Sequence, residues 1–265
     1  MSGETAFANT ALESFAALVT FVLLFACIAK IKMQRGIKHV TSKEAKRNTL
    51  DYILIIWLVI HMIVLTADVL SWTAMDFGKN EVWLLFMLNL TFTCLSLECM
   101  VYTYYVKETI YQHEKIGNTY VYLVMLSTVI AIILWITSDI SGKFYYLDTQ
   151  GNYTQGSIYW LCQFYCIIVM CGNIVILLKH RKALVRHDVL SLLMYGLIPI
   201  ASIPAQMLWK STTFNLATTL VLIYICISVH MAQYDRIVEQ EKLLIQQEHE
   251  SDADDDCPDS ATFPI

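Results

Sequence analysis

The sequence predicts an all-α membrane protein: a seven-transmembrane helical bundle, N-terminus outside, C-terminus cytoplasmic, with a short outer β-hairpin between spans four and five. Three observations predict it. The 265 residues are 57% hydrophobic and only 15% charged, whereas a soluble domain carries about a quarter charged residues. Apolar stretches of about 20 residues, the length that crosses a bilayer, recur along the chain. The connections between them alternate between basic-rich and basic-poor, and that alternation sets orientation.

The spans fall near Ser14–Ala29, Leu50–Trp72, Glu81–Val106, Tyr120–Ser138, Ser157–Leu178, Asp188–Trp209 and Thr212–Gln233. The first is the shortest and can be extended back to Ala8. The first connection carries Lys30, Lys32, Arg35, Lys38, Lys43, Lys46 and Arg47, and the third Lys107 and Lys115. Lys179, Arg181, Lys182 and Arg186 sit in the fifth, and Arg236 and Lys242 follow the last span. Only Lys79, Lys143 and Lys210 lie on the opposite side. Positive loops stay cytoplasmic, so the odd-numbered connections are inside. Glu4 and Glu13 precede the first apolar run and the basic cluster follows it, the pattern of an outside-in first anchor rather than a cleaved leader.

The net charge of −5 resides in a tail holding Asp252, Asp254, Asp255, Asp256 and Asp259, so nucleic-acid binding has no support. Seven of the eight cysteines fall inside apolar runs, where a thiol behaves as a small hydrophobe. Cys162 and Cys166 lie one turn apart without nearby His or acidic residues, so no metal site is expected.

Polar side chains inside lipid each need a reason. With about 1.5 Å of rise per residue, Asp68, Asn89, Asp139, Gln163, Gln206 and Asn215, with Thr218 and Thr219 behind the last, all fall in the outer third of their spans. Two readings stand for this layer. One is a solvent-facing cavity for a small ligand, walled by aromatics such as Trp72. The other is interhelical hydrogen bonding, worth about 0.6–2 kcal/mol per contact. Asp68 is the harder to assign to packing alone, because an ionised carboxylate with no basic partner in its layer is costly. Trp72, Trp83, Trp135, Trp160 and Trp209 sit at the same level and read as an interfacial aromatic belt.

A deeper set comprises His61, Glu98, Asn173 and His230. His61 and Asp68 are seven residues apart and share one helix face. These residues read either as a relay for a conformational signal or protons, or as satisfied core groups. Span six holds Pro199 and Pro204, which remove backbone donors and mark a candidate moving part.

Between spans four and five, Phe144–Tyr146 and Tyr153 flank Thr149-Gln-Gly-Asn152, a strand, turn, strand pattern whose Gly-Asn suits a tight turn. Three regions follow along the chain: residues 1–235 form the membrane domain, 236–250 a cytoplasmic helical extension, and 251–265 an acidic disordered tail. No phosphate loop, nucleophile elbow or catalytic carboxylate pair occurs, so neither enzyme activity nor a cofactor is expected.

Asp68 with Trp72, Asn89 with Tyr102 and Tyr105, the segment Gly142-Lys-Phe-Tyr-Tyr-Leu-Asp148 with Tyr153 and Gly156, and Pro199 with Gln206 together carry a family resemblance. Over about residues 10 to 240 the chain resembles the N-terminal seven-helix membrane sensor of clostridial signalling proteins, a type found fused to diguanylate cyclase or histidine kinase domains. The resemblance implies a receptor in a bacterial plasma membrane that passes a signal along its last helix. The chain departs from that pattern after the helical extension, where only an acidic stub follows. Either the output domain is absent, or a separate cytoplasmic signalling protein docks on the tail and the basic inner connections; the resemblance also implies a homodimer, since such sensors often pair.

The functional expectation is a sensor that binds an extracellular or membrane ligand and signals through helix seven; a small secondary transporter is the alternative. The transporter reading lacks internal self-similarity, and both prolines lie in one span. An opsin is excluded because no lysine lies between Lys210 and Lys242 to carry a Schiff base.

Overall fold

The computed structural model describes residues 3–35, 42–77, 81–148, 153–209 and 215–228. Its helices are α1 (Gly3–Arg35), α2 (Ser42–Phe77), α3 (Glu81–Tyr111), α4 (Thr119–Ile136), the one-turn α5 (Ser138–Ser141), α6 (Trp160–His180) and α7 (Arg186–Trp209). A further helix, α8, runs over Asn215–Ser228. Strands β1 (Tyr145–Leu147) and β2 (Tyr153–Gln155) lie between α5 and α6.

Among the described residues, four helices are long and apolar enough to cross a membrane, over Phe7–Lys32, Thr49–Ala74, Glu81–Tyr111 and Thr119–Ile136. The chain is a helical membrane protein by these segments. The remaining apolar stretches read from the sequence coincide with α6, α7 and α8. Their apolar portions among the described residues are shorter for two of them, Phe164–His180 and Asn215–Ser228. α1 and α2 extend well beyond their apolar cores, with 33 and 36 residues, because the flanking lysines and glutamates are themselves good helix formers. Glu81 in the first turn of α3 and Lys179 with His180 in the last turn of α6 complement the helix dipoles.

Packing inverts the soluble rule. On α1 the buried face is Asn9, Glu13, Ala16, Thr20, Leu24 and Cys27, while Phe7, Phe15, Leu18, Val22 and Phe25 are exposed. Intervals of three and four residues hold the small and polar groups inward, and large apolar groups face outward, where lipid would solvate them. α2 packs against α1 and α3, α3 also against α4 and α6, and α6 against α7.

Gly142 ends α5 at φ 60°, a left-handed cap that turns the chain into β1. β1 and β2 pair antiparallel, with Tyr145 opposite Gln155, Tyr146 opposite Thr154 and Leu147 opposite Tyr153. Tyr145 is fully buried and stacks on Phe92 at 5.3 Å. Ser138 Oγ accepts from Tyr145 N and donates to Tyr145 O, tying the strand to α5. The expected Gly151-Asn152 turn lies outside the described residues. Trp135 departs from the belt expected of it: it is buried beside Phe144 and donates to Ser96 Oγ at 2.9 Å. Trp83 and Trp160 are exposed.

The chain divides into two compact units, Met1–Tyr224 and Ile225–Ile265. The expected helical extension and acidic tail fall in the second, outside the described residues.

Candidate functional site

The first α8 residue, Asn215, is the centre of a buried carboxyl cluster. Its amide nitrogen has two hydrogens, and both are used. One goes to Glu13 Oε1 on α1 at 3.0 Å and the other to Asp68 Oδ2 on α2 at 2.8 Å. The two carboxyl groups also face each other. Among the described residues, no lysine or arginine pairs with either. Trp72, one turn beyond Asp68, turns its indole N–H toward that carboxyl group without reaching hydrogen-bond geometry.

A second cluster lies deeper. His61 on α2, seven residues before Asp68, places Nε2 2.8 Å from Thr219 Oγ1 on α8. Thr219 in turn donates to the Asn215 carbonyl at 2.9 Å, so its hydroxyl proton is committed and His61 Nε2 is the donor between them. The other ring nitrogen, Nδ1, sits 3.1 Å from Glu98 Oε1, within ion-pair distance but out of line for a hydrogen bond. Glu98 Oε1 also accepts from Tyr195 at 2.7 Å and from Trp57 at 3.3 Å. Trp57, Tyr102 and Tyr195 pack ring against ring around it, the closest centroids 4.5 Å apart. A carboxylate so enclosed is stabilised only by such donors.

The residues singled out from the sequence therefore separate into groups. Asp68, Trp72 and Asn215 come together, and His61 joins Glu98. Asn89 belongs elsewhere: its Oδ1 accepts from the Tyr145 hydroxyl at 2.6 Å, so its bond anchors the strand pair to α3. Asn173 stands apart from Glu98 and donates to Thr103 Oγ1 at 2.9 Å. Pro199 is buried within an α7 that continues through it, and its carbonyl accepts from Ser202 at 2.7 Å. Asp139 lies on α5, Gln163 on α6, and Pro204 and Gln206 on α7; their side chains are outside the described set. His230 lies beyond the described residues.

Glu13 is the functional candidate that sequence reasoning passed over. Its signal was the α1 stripe of Asn9, Glu13, Ala16 and Thr20, which marks an inward face. Among the described residues, no group of three or more His, Cys, Asp or Glu is arranged to hold a metal ion. No family model, curated protein or solved structure matches the chain.

Proposed function

We propose that the protein is a multi-pass plasma-membrane receptor of seven spans, which binds a ligand from outside and signals inward through α8. The observation that carries this reading is the Asn215 clamp: one side chain at the start of α8 holds carboxyl groups from two other helices. A ligand that supplies its own donors to Glu13 and Asp68 displaces Asn215. α8 then keeps its deeper tie to α2, Thr219 to His61, and shifts against α2. The equilibrium moves by as much as the ligand's affinities for the two arrangements differ.

In this arrangement the basic connections face the cytoplasm, the β1–β2 pair lies on the outer side, and α8 leads toward the cytoplasmic tail. A separate signalling protein reads the shift there, without intrinsic catalysis by this chain. Crosslinking through the tail in native membranes tests the reading. A cytoplasmic protein is expected to be captured, with a yield that differs between wild type and Asn215→Leu. Identical capture in both would contradict it.

One observation favours a second reading. The His61–Glu98 contact is an ionisable pair within the bundle, the kind of group that marks ion and proton paths. A small secondary transporter would use it in coupling. Uptake of labelled solute by proteoliposomes, lost in Glu98→Gln, would select that reading.

A further inference from the structure

Resting on the receptor reading, the inference concerns the chemistry of the ligand. Asn215 spends both amide hydrogens on Glu13 Oε1 and Asp68 Oδ2. Glu13 Oε2 remains without a hydrogen-bond partner among the described residues, although Glu13 is only 1% exposed. Whatever replaces the amide meets at least three carboxyl oxygens. A primary ammonium group has three N–H donors and a positive charge, and so satisfies all three. A quaternary ammonium has no N–H and would leave each oxygen unpaired in a buried setting.

A second, independent feature narrows the class. Asn9 lies one turn before Glu13 on the same face of α1, is 3% exposed, and its Nδ2 has no partner among the described residues. Trp72 lies one turn after Asp68, with its indole N–H turned toward that carboxyl group. α1 and α2 are sequential helices meeting at the Glu13–Asp68 contact. Glu13 and Asp68 thus mark one level, with Asn9 and Trp72 both one turn toward the α1 N-terminus. The Asn9 amide thus lies one turn from the carboxyl pair on the same face of α1, and an unpaired buried donor calls for an acceptor.

We infer that the Glu13–Asp68–Asn215 cluster binds a small amino acid, its ammonium group replacing the Asn215 amide on the two carboxyl groups and its carboxylate bonding the Asn9 amide. The ammonium group takes the place of the displaced Asn215 amide rather than a vacant space beside it.

The test uses the full chain in lipid nanodiscs and follows thermal unfolding with glycine, L-alanine, β-alanine and γ-aminobutyrate. Methylammonium provides the amine alone and acetate the carboxylate alone. At least one amino acid is expected to raise the unfolding midpoint, at concentrations roughly tenfold below those at which either fragment acts. Asn9→Leu removes an unpaired buried donor and leaves the fold intact; in it the amino acid should act no better than methylammonium. Glu13→Gln should abolish the response. The inference is overturned if methylammonium acts as well as every amino acid, or if none of the four shifts the midpoint. In the second case, a tail-crosslinking yield that still differs in Asn215→Leu leaves the receptor reading standing and removes only the ligand class. Equal yields would remove both.

Discussion

His61 Nε2 lies 2.8 Å from Thr219 Oγ1, one helical turn along α8 from the Asn215 clamp. α8 is thus fastened to α2 at two levels, by Asn215 to Asp68 and by Thr219 to His61. Because Thr219 also donates to the Asn215 carbonyl, the two fastenings share one turn of backbone. Movement at the first is felt at the second. In the proposed receptor, this pairing is what lets a displacement at Asn215 reach His61.

The carboxyl pair gives the first prediction. In Glu13→Gln the side-chain oxygen still accepts from Asn215, while the new amide can donate to Asp68. Stability should hold or rise by about 1 kcal/mol, since one of two facing acidic groups is removed. Glu13→Leu instead strands an Asn215 N–H and should cost about 1–3 kcal/mol. Thermal unfolding of both variants in one detergent checks the order; Glu13→Gln less stable than Glu13→Leu would refute it.

Glu98 gives the second. Glu98→Leu leaves Tyr195 and Trp57 without their common acceptor and His61 without its ion-pair neighbour, and should cost about 3–5 kcal/mol. Glu98→Gln keeps an oxygen for Tyr195 and should cost far less. Tyr195→Phe removes one bond and should cost about 1 kcal/mol. Denaturant titration in mixed micelles ranks the three.

Tyr145 tests how the strand pair is held. Tyr145→Phe loses the 2.6 Å bond to Asn89 and the longer 3.4 Å one to the Trp135 carbonyl, and should cost about 1 kcal/mol. Tyr145→Ala empties a fully buried aromatic site, at about 3–5 kcal/mol. Limited proteolysis between residues 143 and 157 should accelerate sharply in Tyr145→Ala and little in Tyr145→Phe.

Close packing between α4 and α6 gives a fourth. A Cβ at Gly172 would meet the Tyr120 hydroxyl at 2.3 Å, and that hydroxyl donates to Val169 O at 3.1 Å. Gly172→Ala should cost about 1–3 kcal/mol through overpacking. Adding Tyr120→Phe removes the closest atom and should return part of the loss, which a double-mutant cycle reads as coupling.

The helices were legible because apolar runs of spanning length are the strongest signal a chain carries. Their ends were not, since α1 and α2 continue on charged residues that hydropathy ignores. Asp68 and Asn215 could be found because they interrupt apolar runs. Their meeting could not, because it depends on which helices are neighbours. Glu13 was read as a flanking charge: it precedes the densest apolar stretch, and only the small-residue stripe on α1 reveals that it faces inward. Asn89 was seen as a polar residue of the outer layer, but its partner Tyr145 comes from a strand whose docking no local pattern announces. Trp135 matched the interfacial belt by depth, whereas its burial follows from facing Ser96 and Phe144.

Amide hydrogen exchange across α8, compared between wild type and Asn215→Leu in nanodiscs, tests the clamp most directly. Exchange should quicken throughout 215–228 while α3 and α4 keep their wild-type protection. Unchanged protection of α8, or an equal loss in every helix, would show that Asn215 does not hold this helix, and the proposed route of signalling would fail with it.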